Sequence, residues 1–449
     1  MVYALPFIII GSVFLILKSF PIPAVSTFFD NIGWSVFFNQ AYQTTFAIIS
    51  IWTAVGIAYV YAKNEKLEPL PVGLTSLSVF FLLQKLQVDV PLVGAMAKGG
   101  SGITDAAGKT LYTSSQLAHQ ISQLPDAIQT YLKSPVTNVI NMTWLGGQGM
   151  IAAILCGLLV GWTYTLMAKA GWEIKLPEQV PANVANQFSA MIPSGVIITV
   201  AMVIYAIFDK ALNTDLLNWI YKTLQIPLQG LSDSLGGGII LAFMVVFFWF
   251  FGVHGGLIMG GIGGAFLLPN SADNARLLAE GKLSLENGAH IVTNEFYNNF
   301  INLTGSGITI GLVIFTLVGA KSVQFKSIGK VELVPALFNI NEPFLFGLPL
   351  VMNPWLAIPF FLTPVVVALS TYLVIKFGIV PPTGVAAPWT TPAVISGFFI
   401  GGWKMALWQA CVLAISTAIY WPFAVKYDKY LKEQEDANVA TDAQIIRKI

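Results

Sequence analysis

Glu342 is a lone carboxylate in an apolar region, surrounded by residue types that bind polar solutes. It is the only acidic residue between Glu332 and Asp428. The same stretch, positions 339–354, contains three carboxamides and several helix-breaking residues, namely Asn339, Asn341, Asn353, Pro343, Gly347, Pro349 and Pro354. Polar side chains and broken backbone persist at membrane depth only when they are buried in protein or line a wet cavity. The stretch therefore predicts a binding site for a polar solute inside a membrane protein.

His254 is the second candidate, since it is the only ionisable residue between Asp233 and Asp273. Ionisable residues in apolar segments are functional by default, and a histidine and a carboxylate together can bind hydroxyl groups and supply a base. Structural alternatives stay open for both. Glu342 could bond free backbone amides at a helix break, and His254 could pack against a neighbouring helix.

Other candidates are aromatic or carboxamide side chains. Trp249 and Trp389 could stack on a ligand ring or anchor the chain at the membrane interface. Asn298 and Asn299 could bind a ligand or close a hairpin, and His290 is interpreted as a loop residue. The sequence has no Walker loop, metal-spaced Cys/His cluster or nucleophile elbow. It therefore predicts neither a metal site nor a cofactor.

The composition is that of a polytopic membrane protein. Of its 449 residues, 55% are hydrophobic and 10% are charged, whereas soluble domains carry roughly 25% charged residues. The net charge of +1 and the lack of a basic tract argue against nucleic-acid binding. Cys156 and Cys411 lie in apolar runs, so no disulfide framework is expected.

Apolar runs predict an all-α protein with about ten spanning helices, because a span needs about 20 mostly apolar residues. The first run lacks a basic leader and a cleavage motif, so it is interpreted as a span rather than a signal peptide. The predicted spans are 2–20, 40–62, 70–88, 144–168, 187–208, 235–253, 255–268, 305–320, 354–376 and 394–425. Lysines gather on one side of this arrangement, at 63, 66, 169, 175, 321, 326, 330, 426, 429 and 432. The positive-inside rule makes that side cytoplasmic, together with both termini.

The chain divides into two parts near residue 213. Residues 1–212 carry five predicted spans and an extracellular loop at 89–143, in which Lys109–Tyr112 favours a hairpin strand. Residues 213–234 mix apolar and polar side chains and favour an amphipathic helix at the membrane interface. Residues 235–425 form a less regular second domain, followed by a cytoplasmic tail at 426–449. Interrupted segments of this kind often hold a transporter's substrate.

Several motifs resemble one family of transporters. They are Asn341-Glu342-Pro343, Phe346-Gly347-Leu348-Pro349, Asn353-Pro354, Val253-His254-Gly255, Gly305-Ser306-Gly307, Pro193-Ser194-Gly195 and Trp144-Leu145-Gly146-Gly147-Gln148-Gly149. Their order and spacing are similar to those of the phosphotransferase-system sugar permeases. The resemblance is to the membrane IIC component of the lactose, cellobiose and diacetylchitobiose group, and it extends over most of the chain.

The resemblance implies a mechanism. In such bacterial cell-membrane permeases a IIA protein phosphorylates a cysteine of IIB, and IIB then phosphorylates the disaccharide bound in IIC, usually at its 6-hydroxyl. His254 and Glu342 match the family residues near that hydroxyl, and His254 is expected to matter more for phosphorylation than for binding. The sequence does not decide which of them is the base. Neither cysteine lies in a soluble phosphocysteine domain, so IIB must be a separate chain.

The resemblance also implies a fold. It predicts a homodimer formed through the N-terminal spans and a C-terminal domain with two re-entrant hairpins that carries the sugar by an elevator motion. Members usually begin with a basic amphipathic segment that this chain lacks, which predicts a truncated start. Two other functions stay open, an ion-coupled sugar symporter with Glu342 as its proton site and a non-transporting sugar receptor.

Overall fold

The computed structural model describes residues 5–85, 103–104, 110–133, 140, 142–174, 176–177, 179, 182–348 and 350–448. Predictions that concern Lys175, Pro349 and most of the loop before residue 110 therefore lie outside the described residues. The described chain is helical except for one small hairpin.

The first half is built of apolar helices and, within the predicted extracellular loop, two short polar ones. They are α1 (Leu5–Lys18), α2 (Pro23–Asn31), α3 (Trp34–Gln43), α4 (Ile49–Asn64), α5 (Pro69–Leu82), α6 (Ser114–Ser122), α7 (Asp126–Lys133), α8 (Met150–Lys169) and α9 (Ala182–Ala211). Helix α5 begins with Pro69, which suits the first helical turn because its missing N–H needs no partner there. Between α1 and α2 the chain bends by 91°.

The predicted extracellular loop contains structure that the turn signals only partly indicated. Strand β1 (Ile103–Thr104) pairs antiparallel with β2 (Thr110–Tyr112), which confirms a strand within the predicted range. Helix α6 begins with a capping box, in which the side chains and backbones of Thr113 and Gln116 bond reciprocally. The Thr-x-x-Gln spacing is a sequence signal for a helix start.

The joint between the halves is also helical. It consists of α10 (Leu216–Ile220), a π-helical turn (Tyr221–Gln225) and α11 (Ile226–Ser232). Asp215 caps α10, because its carboxylate accepts the backbone N–H of Asn218 at 2.8 Å. The chain then bends by 70° into the next helix. Helical structure therefore spans 216–232, and the interfacial position of this segment stays a prediction.

The second half carries the interrupted segments. Its helices are α12 (Leu235–Phe250), α13 (Gly255–Ala279), α14 (Asn294–Phe296), α15 (Ile310–Val318), α16 (Val323–Leu337), α17 (Glu342–Gly347), α18 (Pro354–Lys376) and α19 (Ile395–Lys448). Helix α19 kinks at Gly401 and Gly402. It runs on past the predicted start of the tail, and the Asp428 carboxylate accepts the backbone N–H of Ser322 at 2.9 Å, just before α16.

The buried apolar side chains form two clusters. One joins α4, α5, α8, α9 and α10. The other is built mainly by the second half and also takes Ile8 and Leu15 of α1. The first helix thus packs into the core of the second half, an association that the apolar pattern of α1 alone does not predict.

Five helical segments of the described chain are long and apolar enough to cross a membrane, or up to seven if each bent pair counts as one span. They are Trp34–Asn64, Gly147–Lys169, Gln187–Ala211, Pro354–Lys376 and Ile395–Asn438. This confirms an all-α polytopic membrane protein but not the predicted number of ten spans. The predicted span at 305–320 contains only the 9-residue helix α15, shorter than the roughly 20 residues that a crossing needs.

Candidate functional site

His254 lies where the chain turns back between α12 and α13. Gly252 ends the turn after α12 with a φ of 79°, a left-handed conformation that costs glycine little. The imidazole Nδ1 of His254 accepts the backbone N–H of Leu257 at 3.1 Å, so the side chain caps α13. In the neutral ring, Nε2 therefore carries the proton and is the free donor.

Glu342 lies beside this donor although it is far away in sequence. His254 Nε2 and Glu342 Oε1 are 3.9 Å apart, and each side chain is 45% exposed. The other carboxylate oxygen accepts the backbone N–H of Asn341 at 3.2 Å. Met352 N–H donates to the Phe250 carbonyl at 3.0 Å, which ties the Glu342 segment to the end of α12. The pair offers one donor and one acceptor to a hydroxyl group.

Trp249 packs against the imidazole of His254. Its ring centroid is 4.3 Å from that of His254, and Phe346 lies against it at 6.3 Å. Only 3% of Trp249 is exposed, so this residue holds the imidazole in place more than it offers a free face to a ligand. Trp389, by contrast, is 51% exposed and free to contact one.

The carboxamides Asn339 and Asn341 are bonded to backbone. Asn339 Oδ1 accepts the N–H of Thr304 at 2.6 Å, and its Nδ2 donates to the carbonyls of Trp389 and Thr391. Asn341 Nδ2 donates to the Ser306 carbonyl at 2.7 Å. Both therefore brace the loop before α15, and Asn341 also places Glu342 through its backbone N–H.

Gly305 is required in this loop. Its φ is 94°, and a Cβ atom there would lie 2.3 Å from Asn341 Cγ, well inside any possible contact. The Gly-Ser-Gly motif singled out in the sequence thus lets the loop approach the Glu342 segment closely. Its Ser306 flanks Gly256, next to the His254 ring.

Asn298 and Asn299 lie on a π-helical turn, Tyr297–Ile301. Asn299 is fully buried, and its carbonyl accepts Gln409 Nε2 at 2.9 Å. The turn reaches the site through Tyr297, whose hydroxyl donates to the Gly256 carbonyl at 2.8 Å. No contact recorded for the described residues joins either asparagine to His254 or Glu342.

Glu332 is an acid near the site that the sequence analysis did not single out. Its side chain lies on α16 and is fully buried. Burial raises the pKa of this carboxyl to about 8, the Phe344 backbone amide opposes that rise, and the negative charge of Glu342 adds to it. Its position on the helix that leads into the Asn339 segment is the only sequence signal for it.

His290 was interpreted as a loop residue, and it does lie between helices, but it is partly buried and paired. Its Nδ1 is 3.0 Å from an oxygen of Asp233, and its Nε2 is 3.6 Å from an oxygen of Asp273. Burial lowers the pKa of His290, but its hydrogen bonds and the charges of the two carboxylates outweigh this and raise it to about 9. Asp233 directly follows α11, so this cluster joins the end of α11 to α13.

A metal is not suggested by the geometry. Within the described ranges, no group of three or more His, Cys, Asp or Glu side chains is placed to hold a metal ion.

Comparison with known proteins places this chain in a family. The family model described as "Phosphotransferase system, EIIC" matches residues 1–364. The lichenan permease IIC component of Bacillus subtilis is 32% identical over 97% of this chain and 89% of its own length. The cellobiose-specific EIIC component of Geobacillus stearothermophilus is 31% identical over 98% of this chain and 92% of its own.

A solved structure agrees with both relatives. The transporter ChbC, the IIC component of a diacetylchitobiose-specific phosphotransferase system, superposes with a TM-score of 0.84 at 31% identity. The match covers 97% of this chain and 93% of ChbC. The chain therefore belongs to the EIIC family of the phosphotransferase system.

Proposed function

We propose that this protein is a permease for β-linked disaccharides of the cellobiose, diacetylchitobiose or lactose type, and that it binds one sugar hydroxyl between His254 and Glu342. The observation that carries the proposal is the approach of His254 Nε2 to Glu342 Oε1, 3.9 Å apart with both side chains half exposed. The names of the relatives, which specify lichenan, cellobiose and diacetylchitobiose, support this substrate class.

The pair suits phosphorylation of the bound sugar. Because Nδ1 of His254 is occupied by the Leu257 amide, Nε2–H donates to the hydroxyl oxygen and orients it. Glu342 then takes the hydroxyl proton while the oxygen attacks the phosphorus of a phosphocysteine on a separate IIB. An O–P bond forms, the S–P bond breaks and the cysteine thiolate leaves. IIA rephosphorylates IIB.

The remaining steps of transport belong to the same proposal. The sugar enters from outside and moves with the second half, residues 235–425, in an elevator-type motion relative to residues 1–212. Two copies pair through their N-terminal spans in a bacterial cell membrane. Both termini face the cytoplasm, where IIB acts. Trp389, exposed near the Asn339 brace, supplies an aromatic face for a sugar ring.

Glu342→Gln tests the site. Removing the charged partner of a hydrogen bond costs about 1.5–3 kcal/mol, so affinity for cellobiose should fall roughly tenfold or more. Equilibrium binding of cellobiose, diacetylchitobiose and lactose to purified protein in lipid nanodiscs measures the loss. The control is Glu332→Gln, the same substitution at a buried carboxyl on α16 that makes no recorded contact with His254. Because its raised pKa of about 8 keeps Glu332 largely protonated near pH 7, this variant should bind normally.

Normal affinity in a well-folded Glu342→Gln protein would contradict the proposed site.

Transport assays in reconstituted vesicles separate the alternative functions. Uptake that requires phosphorylated IIB and yields sugar phosphate supports the permease, whereas uptake driven by a proton gradient alone indicates a symporter. Binding without any uptake in the presence of phosphorylated IIB indicates a receptor.

A further inference from the structure

A polar cavity lies at the end of α13 that is remote from His254. It has a volume of about 500 Å³ and is lined on one side by α1 and α3 and on the other by Asp273 and Arg276 of α13. A second cavity of about 390 Å³ shares Gln148, Asp273 and Arg276 with it and extends to His290. Asp273 follows His254 by 19 residues, or about 28 Å at roughly 1.5 Å per residue. We call the two together the distal cavity.

The motif Trp144–Gly149 supplies Gln148 to the lining of both cavities. A Cβ atom on Gly147 would lie 2.7 Å from the Pro269 carbonyl oxygen and 2.9 Å from Ala272 Cβ. Only a glycine therefore lets this loop pack directly on α13. Gln225 Nε2 fixes it from the other side by donating to the Gly147 carbonyl at 2.8 Å. The close packing sets Gln148 between the two cavities.

The charges around the distal cavity compensate one another. Arg276 bonds Glu280 at 2.8 Å. Lys18 Nζ donates to Asn39 Oδ1 at 2.8 Å and to the Ala279 carbonyl at 2.9 Å. Asp273 lies close to His290, with oxygen and nitrogen 3.6 Å apart. Lys18 has only neutral partners, but the larger cavity is lined by two cations, Lys18 and Arg276, and two carboxylates, Asp273 and Glu280. A lining without net charge favours a neutral solute over an ion.

Free hydrogen-bonding groups complete the lining. The side chains of Gln43 and Gln148 line the cavity and make no hydrogen bond with any other residue in the described ranges. A carboxamide offers two donors and one oxygen acceptor, which suits hydroxyl groups.

We propose that the distal cavity is a second carbohydrate-binding site, which holds a disaccharide between Gln43 and Gln148 outside the site at His254 and Glu342. The inference rests on the proposed function, since it assumes that the solute is a sugar. Because the cavity lies between elements of the two halves, a sugar held there occupies a waiting position on the route of transport.

A photoreactive diazirine derivative of cellobiose tests this site. It would be applied to the full chain carrying Glu342→Gln in lipid nanodiscs, so that occupancy at the first site is reduced. Mass spectrometry should find label in the segments 142–148 or 273–280, and an excess of free cellobiose should remove it. Adding Gln148→Ala or Gln43→Ala should reduce this label about fivefold, the effect of losing one hydrogen bond.

Gln120→Ala is the matched control, since Gln120 is exposed on α6 in the loop and outside this lining. It should leave the label unchanged. Absence of label from both segments, label that free cellobiose does not compete, or label unaffected by both glutamine variants would overturn the distal site. Wild-type label confined to the surroundings of His254 and Glu342 overturns this inference alone. Wild-type protein that binds no disaccharide anywhere contradicts the proposed function as well.

Discussion

The hydrogen bond from Leu257 to His254 gives the two groups of the pair different tasks. Sequence alone left open which of them is the base. The backbone N–H of Leu257 occupies Nδ1 at 3.1 Å, so in the neutral ring Nε2 keeps its proton and cannot accept another. Glu342 has an oxygen facing Nε2–H and is the acceptor of the pair. The geometry therefore favours Glu342 as the base and His254 as the donor that orients the hydroxyl.

His254→Asn separates these tasks. Asparagine is a good helix cap, so α13 should keep its start while the Nε2 donor is lost. Sugar affinity should fall about fivefold, as for one hydrogen bond, and phosphoryl transfer at saturating sugar should fall modestly. This differs from the expectation from sequence that His254 matters more for phosphorylation than for binding. Glu342→Gln should lower transfer at saturating sugar by about 10²–10⁴, the contribution of a positioned base. Rates of sugar-phosphate formation from phosphorylated IIB measure both.

The control for this comparison is thermal stability, which should stay close to wild type in His254→Asn. The reverse order of effects, with transfer abolished in His254→Asn and retained in Glu342→Gln, would assign the base to the histidine.

At the scale of elements, apolar runs in the sequence predict where helices lie better than they predict where helices end. The run at 255–268 is part of a helix that continues to Ala279. Its polar second half is buried because side chains there bond other elements, as Asn274 does with the His290 backbone at 2.7 Å and the Thr383 carbonyl at 2.8 Å. Hydropathy treats these polar residues as unsuited to a buried helix. The apolar run at 255–268 therefore ended before the helix does.

The carboxamides of the Asn339 stretch show the same limit. Residue type and spacing correctly marked Asn339 and Asn341 as unusual in an apolar region. Their partners, the loop around Thr304 and Ser306 and the carbonyl of Trp389, come from segments far along the chain. Sequence could not distinguish a brace from a ligand contact, because that depends on tertiary neighbours.

The cluster of Asp233, His290 and Asp273 should make the free energy of unfolding depend on pH. Asp233 and Asp273 raise the pKa of His290 to about 9, above the roughly 6.5 of an unfolded histidine. The protonated form is thus favoured in the folded state, and its contribution is complete below about pH 6.5. It is lost as pH rises towards 9, and the loss is on the order of 3 kcal/mol.

Thermal unfolding in detergent between pH 6 and 9.5 measures this effect. The melting temperature should fall across that interval in the wild type, and His290→Gln should flatten the fall and lower stability at pH 6. Lys222→Gln, a charge change at an exposed position of the same segment, serves as the control. Identical pH profiles for wild type and His290→Gln would contradict the role assigned to the cluster.

At the scale of the whole molecule, the two halves are not independent in packing. Helix α1 places Ile8 and Leu15 in the core of the second half, and the backbone N–H of Ala386 donates to Ser12 Oγ at 3.3 Å. A sliding motion of the second half would have to break or carry these contacts. The proposed boundary at residue 212 therefore holds best for α4, α5, α8 and α9, which form their own core.

The surface of the first five predicted spans is the expected dimer contact. Only 17% of the most apolar part of the segment Gln187–Ala211 is buried within one chain. Val36 of α3 is 71% exposed. Lipid covers such surfaces in a monomer. A closed two-fold dimer, the commonest oligomer, would bury part of them, and the family resemblance favours that arrangement.

Single cysteines at Val36, Leu74 and Val203 test this contact in a background carrying Cys411→Ser, since Cys411 is exposed. All three positions are exposed and lie on α3, α5 and α9. Mild oxidation in native membranes should give a covalent dimer from at least one of them, because a residue near a two-fold axis meets its own copy. A cysteine at Leu231, 70% exposed on α11, should give no crosslinked dimer.

A monomer in every lipid and detergent, with no crosslink at any of the three positions, would contradict dimerisation through the first half. A crosslink at Leu231 alone would move the contact to the joint between the halves.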